Sequence, residues 1–213
     1  MLTLAISKGR IWRDSIPLLA QLGLAPKDSA EDTRKLILPT VNPDFRLIIA
    51  RAGDAATFVA CGAAAAGIAG SDTLAETALA DICQPLDLNL ARCRMIVATS
   101  VDFNYDAAVR CGLPLTVATK YVNLARRHFA KRGMQVRFIK LHGALEIAPQ
   151  VGLANAIVDL ADSGDSLRVN GLIEREKIMD VSAMFIINRA AARRHRLALA
   201  TLQKRFAKAV GDA

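Results

Sequence analysis

Several short stretches of this chain combine glycine, hydroxyls and charge in ways that suit an anion. The fullest runs from Asn155 to Leu167, N-A-I-V-D-L-A-D-S-G-D-S-L. Its apolar run Ala156-Ile157-Val158 reads as a buried strand stopping at the carboxylate of Asp159. Ser163, Gly164, Asp165 and Ser166 then turn the chain into helix-compatible Leu167 to Val169. Backbone N–H groups and hydroxyls in such a turn face an anion, and a helix N-terminus adds partial positive charge. The carboxylate at the strand end suits sugar hydroxyls or a metal ion. Together these are the requirements of a sugar phosphate. The spacing fits neither G-x-G-x-x-G nor the P-loop pattern, so neither a dinucleotide fingerprint nor a Walker motif is supported. The same residues also serve as ordinary α/β turn chemistry.

Other stretches add cations and acids. Leu2 to Ile6 is a strand, and Ser7-Lys8-Gly9-Arg10 is a basic glycine turn before a helix with Ile11, Ile16, Leu18, Leu19 and Leu22 on its apolar side. Lys8 and Arg10 suit an anion, or simply a solvated turn. The run Phe45 to Ala50 delivers Arg51 and Asp54 to its carboxyl end, where ligands collect in α/β sheets. An arginine there also suits a surface ion pair. Gly70 closes a short strand, and Ser71-Asp72 is expected to cap a helix from Thr73 to Ala80. Glu146 falls near a helix start.

The elements that must position these residues alternate. A strand at Leu36 to Leu38 follows Arg34 and Lys35, and a small-residue helix spans Ala55 to Ala66. Further strands are expected at Gly67 to Gly70, Cys93 to Thr99, Leu115 to Ala118 and Val136 to Lys140, with a helix at Val122 to Lys131. Ile173 to Ile187 is extended and apolar with Asp180 inside it, and a last helix runs from about Arg189 to Val210. This alternation predicts α/β with largely parallel sheets. A break near Ala91–Arg94 and a return near Met179–Ser182 predict two lobes, residues 1–92 with 181–213 and residues 93–180.

At 213 residues, with 53% hydrophobic and 23% charged, the chain is globular and long enough for a sizeable core. Its apolar runs are too short to span a bilayer, and the N-terminus reads as a strand and not as a leader, so a cytoplasmic protein is expected. Cys61, Cys83, Cys93 and Cys111 form no C-x-x-C or ligand cluster and are expected as buried reduced thiols. The net charge of +8 favours polyanionic partners.

The whole chain resembles the short form of ATP phosphoribosyltransferase. The matching stretches are L-A-I-S-K-G-R, R-K-L-I-L-P-T, D-x-x-T-F-V from Asp54, G-I-A-G-S-D, P-L-D-L, A-T-K-Y-V-N-L-A-R, E-I-A-P-Q-V-G-L-A, the Asn155–Leu167 stretch and I-M-D-V-S-A. The resemblance implies a two-lobed, type-II periplasmic-binding-protein-like α/β fold with its active site in the interlobe cleft. The implied reaction joins N1 of ATP to the anomeric carbon of 5-phosphoribosyl 1-pyrophosphate and expels pyrophosphate, opening histidine biosynthesis. Mg²⁺ is implied, carried with substrate and without an assured set of protein ligands. The resemblance also implies a homodimer and a separate regulatory subunit similar to histidyl-tRNA synthetase. The chain alone is then expected to be insensitive to histidine.

On that resemblance, Asp159 holds the ribose hydroxyls, while Ser163, Gly164 and Ser166, with Asp165 in the same turn, bind the 5′-phosphate. Arg51, with Lys8 and Arg10 flanking Gly9, neutralises the pyrophosphate. Asp72, after Gly70, helps hold ATP or the metal, and Glu146 faces the cleft. N1 of adenine already carries a lone pair, so no general base is assigned. The family loop usually reads D-A-I-V-D-L-V-S-T-G-x-T-L. Here Asn155 replaces Asp, Asp162 Ser, Ser163 Thr and Ser166 Thr, and Val122 stands where Pro is common. Asp162 places a negative charge beside a phosphate cradle, so it must point away or meet a cation such as Lys8 or Arg10. The rivals are an anion- or solute-binding protein of the same fold, and an RNA-binding module using Arg189, Arg193, Arg194, Arg196, Lys204, Arg205 and Lys208. The latter stretch lacks aromatics interleaved for base stacking, so nucleic acid is not favoured.

Overall fold

A computed structural model of the protein describes residues 1–28 and 35–211. The chain divides into two compact units, Met1–Ala91 with Ser182–Ala213, and Arg92–Val181. In order, the first unit runs β1 (Leu2–Ser7), α1 (Arg10–Gln21), β2 (Ile37–Pro39), β3 (Phe45–Ala50), α2 (Ala52–Ala60), β4 (Ala66–Gly70), α3 (Ser71–Thr77) and β5 (Ile82–Asp87). The second holds β6 (Cys93–Ser100), α4 (Tyr105–Arg110), β7 (Leu115–Thr119), α5 (Val122–Lys131), β8 (Val136–Lys140), α6 (Ile147–Gln150), β9 (Ala156–Ala161), α7 (Asp165–Val169) and β10 (Leu172–Val181). The chain returns to the first unit with β11 (Ala183–Asn188), α8 (Arg189–Arg194) and α9 (Arg196–Gly211).

The first unit's sheet has the order β2-β3-β1-β4-β11-β5. β3, β1 and β4 are parallel, whereas β11 runs antiparallel to both β4 and β5. β1 is buried along its whole length, the pattern of a central strand covered on both faces. On one face Leu4, Ile6, Ile68 and Phe185 pack with Trp12 and Leu19 of α1 and with Leu199, Leu202 and Phe206 of α9. The rings of Phe185 and Phe206 stack with centroids 4.6 Å apart. On the other face Ala5, Ala69 and Ile186 pack against Ala55, Ala56 and Val59 of α2. The second unit's sheet has the order β10-β6-β9-β7-β8. β9, β7 and β8 are parallel, and β6 runs antiparallel to β9 and to β10.

Both sheets are therefore mixed, which corrects the expectation of largely parallel sheets. Apolar periodicity locates strands but does not carry their direction. Strand β5 escaped the sequence reading because it contains Pro85, which an edge strand tolerates. The extended stretch from Ile173 breaks at Ser182 into β10 and β11. The last helix breaks at His195, and Asn188 caps α8 by accepting from the Ala191 N–H at 2.8 Å. α2 ends at Ala60, well short of Ala66, which instead opens β4. Ile16 is exposed and Trp12 takes the buried position on α1. Cys61, Cys83 and Cys111 are exposed and Cys93 half-buried, so burial of the thiols was a wrong expectation; a lone cysteine carries no signal of its depth. Arg34, the first residue of the R-K-L-I-L-P-T stretch, lies outside the described residues.

Candidate functional site

In the first unit the parallel register collects the expected residues at one sheet edge. Ser7 pairs with Ala50 and Ile6 with Ile68, so Lys8, Arg51 and Gly70 all emerge at the carboxyl ends of the neighbouring strands β1, β3 and β4. The Lys8 N–H donates to the Ala50 carbonyl at 2.7 Å, tying the turn to β3. Gly9 opens α1 with φ +94° and ψ −136°, a conformation that L side chains rarely adopt. Arg51 is the residue before α2, and its carbonyl accepts from the Asp54 and Ala55 N–H groups. Lys8, Arg10 and Arg51 are exposed. Arg10 pairs with Asp14 one turn along the helix at 3.6 Å, whereas no ion pair engages Lys8 or Arg51 among the described residues.

Gly70, not Ser71 or Asp72, is the cap residue of α3, so the expected cap moves by one to two positions. Asp72 lies in the first turn, where its charge meets the positive helix end. It is only 6% exposed, and a side chain at position 70 would lie 2.1 Å from its Oδ1. Glycine at 70 is what lets this carboxylate fold back over the strand end. Ser71 donates its N–H to the Ser182 carbonyl at 2.9 Å and fixes the start of α3 against the returning chain.

In the second unit, β9 continues two residues past Asp159, to Ala161. Asp159 is therefore not at the strand end; it stands just past Val158, where the pairing with β7 stops. The parallel register brings Lys120, which follows β7, beside it, with Nζ 4.0 Å from Oδ1. Thr119 ties the two strand ends by donating to the Val158 carbonyl at 2.7 Å. Lys120 also lies over the Tyr121 ring, 4.7 Å from its centroid.

The loop Asp162-Ser163-Gly164 follows, with Gly164 at φ +81°, ψ 7°. α7 is only five residues long, so its macrodipole is small and the turn's individual N–H and O–H donors outweigh it. Ser163 Oγ donates to Asp165 Oδ2 at 2.6 Å, and Asp165 pairs with Arg168. Ser166 Oγ donates to Glu146 Oε1 at 2.6 Å. Glu146 and Ser166 stand next to Leu145 and Leu167, which are buried in one cluster with Ile96, Ala98 and Ile157. That shared core joins two expected site residues that lie far apart in sequence.

Sequence reasoning missed three residues. Lys120 was legible as a cation following a strand, once β7 and β9 are known to be parallel neighbours. Arg94 and Glu174 left no local signal, because their partners are remote. Arg94 donates through Nη1 to the Asp162 carbonyl at 2.6 Å and through Nε and Nη2 to Glu174 at 2.9 and 2.7 Å. The hydrogen bond to Glu174 holds the guanidinium above its ordinary pKa; burial opposes this, and the charges of Glu174 and Asp162 add to it. Within this unit, then, Arg94 is a cation that offsets the Asp162 charge. Two surface hollows, of about 430 Å³ beside α1 and the end of α9 and about 390 Å³ along α5 and β8, contain none of the expected site residues.

No group of three or more His, Cys, Asp and Glu is placed to hold a metal ion among the described residues. The carboxylates nearest the loops are already engaged, Asp159 by Lys120 and the Leu160 N–H and Glu146 by the Ser166 hydroxyl. Such a donor set fits a divalent ion arriving on phosphate oxygens better than one caged by protein. No described helix is long and apolar enough to cross a membrane.

Comparison with known proteins gives a consistent picture. The family model for ATP phosphoribosyltransferase matches residues 51–208. ATP phosphoribosyltransferase of Burkholderia orbicola is 52% identical over 208 residues, covering 98% of this chain and 96% of that protein. The enzyme of Nitrosospira multiformis is also 52% identical, over 98% of this chain and 92% of its own length. Among solved structures, the fold is similar to the ATP phosphoribosyl transferase (HisG:HisZ) complex of Thermotoga maritima, with TM-score 0.84, 24% identity and full coverage of both chains. It is also similar to the periplasmic aliphatic sulphonate binding protein SsuA of Escherichia coli, with TM-score 0.64 and 14% identity over 98% of this chain and 72% of that one. The fold is of the type-II periplasmic-binding-protein kind.

Proposed function

The chain belongs to the ATP phosphoribosyltransferase family, and from that premise we propose how its two glycine turns divide the work of the reaction. The protein is a pentosyltransferase that joins ATP to 5-phosphoribosyl 1-pyrophosphate in the first step of histidine biosynthesis. The N1 lone pair of adenine forms the new bond to the anomeric carbon, and the electron pair of the broken C–O bond leaves with pyrophosphate. The carbon passes through an oxocarbenium-like state, so positioning and stabilisation of the departing charge dominate. No proton has to leave N1, and no residue acts as general base there.

In our proposal Ser163, Gly164, Asp165 and Ser166 form the 5′-phosphate turn. The observation that carries this is the left-handed Gly164 between two hydroxyls, with the second joined to Glu146. The Ser163 and Ser166 hydroxyls turn from Asp165 and Glu146 to phosphate oxygens, so binding exchanges one anionic acceptor for another. Asp159, with Lys120 limiting its excess charge, takes the ribose hydroxyls. Arg51, Lys8 and Arg10 neutralise the pyrophosphate, and the backbone at Gly9 admits it closely. Gly70 and the buried Asp72 shape the strand end that meets ATP. When bound with the phosphates, Mg²⁺ would supply neutralisation of charge on the leaving group beside Arg51, Lys8 and Arg10. A cytoplasmic setting, a homodimer and a separate histidine-sensing subunit similar to histidyl-tRNA synthetase complete the proposal; the hetero-complex named for the Thermotoga protein supports the last. Steady-state kinetics of Ser166→Ala tests the phosphate turn. The KM for phosphoribosyl pyrophosphate should rise about tenfold, the worth of one hydrogen bond to a charged group. An unchanged KM for that substrate would remove the turn from the site.

A further inference from the structure

We propose that Arg94 is a positioning residue for the 5′-phosphate turn, holding its backbone through the Asp162 carbonyl while Glu174 fixes the guanidinium plane. The inference rests on the assignment of residues 163–166 to the phosphate. Strand β6 places Arg94 opposite Ala161, the last residue of β9, so the side chain starts beside the root of the turn. Its Nη1 reaches the Asp162 carbonyl at 2.6 Å, and its Nη2 lies 4.0 Å from where a side chain at 164 would begin. Nε and Nη2 both donate to Glu174 Oε2, at 2.9 and 2.7 Å, with a longer contact from Nε to Oε1 at 3.2 Å. A planar fork held on one side by a carboxylate has its remaining donors aimed in fixed directions. Here one of them meets a carbonyl of the turn.

The need for such a brace follows from the turn itself. Gly164 is in the left-handed region and α7 is five residues long, so neither side-chain sterics nor a long helix holds the N–H groups in place. Arg168 and Asp165 pair within the turn and move with it. Leu167 anchors the far side in the core. Arg94 anchors the near side from a different strand. Its contact with the turn is to backbone, so its loss should act through the turn and weaken one substrate selectively.

The test compares Arg94→Met, Arg94→Lys and Glu174→Gln with Gly164→Val, measuring both KM values, kcat and the melting temperature. Arg94→Met should raise the KM for phosphoribosyl pyrophosphate about tenfold, as loss of a charge-assisted hydrogen bond does, with the KM for ATP within about twofold. Arg94→Lys should recover only part, because one ammonium lacks the planar fork. Glu174→Gln keeps shape and removes charge, so it carries the test should Arg94→Met fold poorly; its KM should rise a few-fold. An unchanged KM in the Arg94 and Glu174 variants beside a raised one in Gly164→Val overturns the brace and leaves the phosphate turn standing. An equal rise for ATP also overturns it, since it marks a general structural role. If Gly164→Val is likewise without effect, the phosphate turn itself falls, and the brace with it.

Discussion

The turns at Gly9 and Gly164 both rely on a glycine of positive φ but differ in ψ and in the charges that flank them. Each follows a strand and opens a helix through a glycine of positive φ, +94° at Gly9 and +81° at Gly164. The first leads into a twelve-residue helix and is surrounded by Lys8, Arg10 and, from the neighbouring strand, Arg51. The second leads into five helical residues and is surrounded by hydroxyls and by charges of both signs, the carboxylates of Asp162, Asp165 and Glu146 with Arg94 and Arg168 among them. Net positive charge suits a departing group whose charge grows during reaction. Directed hydroxyl and N–H donors suit a group whose charge stays constant and whose position matters. On the proposed roles, the glycine of each turn only makes room for an anion, and the flanking side chains decide whether the turn binds or stabilises.

The contrast is broken most severely at Arg51. Arg51→Ala should slow the single-turnover step by roughly two to three orders of magnitude, the usual loss with a transition-state donor, and Arg51→Lys should recover part of it. A wild-type single-turnover rate would confine Arg51 to the surface. Gly164→Val comes next: a branched residue at φ +81° strains the turn, so the KM for phosphoribosyl pyrophosphate should rise about ten- to a hundredfold with a smaller change in the chemical step. Loss of kcat without change in KM would reverse the roles of the two turns. Lys8→Ala should lower kcat/KM about tenfold and flatten its salt dependence, with Arg10→Ala milder because Asp14 already engages Arg10. Equal effects of the two would show that pairing with Asp14 is immaterial. The smallest change sharpens the contrast from the acidic side. Asp165→Ala removes a competitor for the Ser163 hydroxyl, so phosphoribosyl pyrophosphate should bind about two- to threefold more tightly, and weaker binding would make Asp165 a support of the turn.

Much of this was legible in the residues because it is local. The strand at Val136–Lys140 and the helix at Val122–Lys131 follow from apolar periodicity and flanking glycine. Gly164 is visible as the residue that lets a strand turn into a helix. What stayed hidden is set by pairing across distance. Strand direction placed Lys120 beside Asp159, and antiparallel β6 placed Arg94 against the Asp162 carbonyl, a cation that no local pattern offers. The cap of α3 moved to Gly70 because Asp72 is drawn inward over a glycine, a packing outcome no capping pattern contains. Proline concealed β5 because its edge position is a property of the sheet.

Direct titration of Gly164→Val and Arg51→Ala with ribose 5-phosphate and with magnesium pyrophosphate tests the division of labour without turnover. The account predicts that Gly164→Val loses ribose 5-phosphate and keeps pyrophosphate, and that Arg51→Ala does the reverse. Loss of both ligands by either variant, or the opposite pairing of variant and ligand, would contradict it.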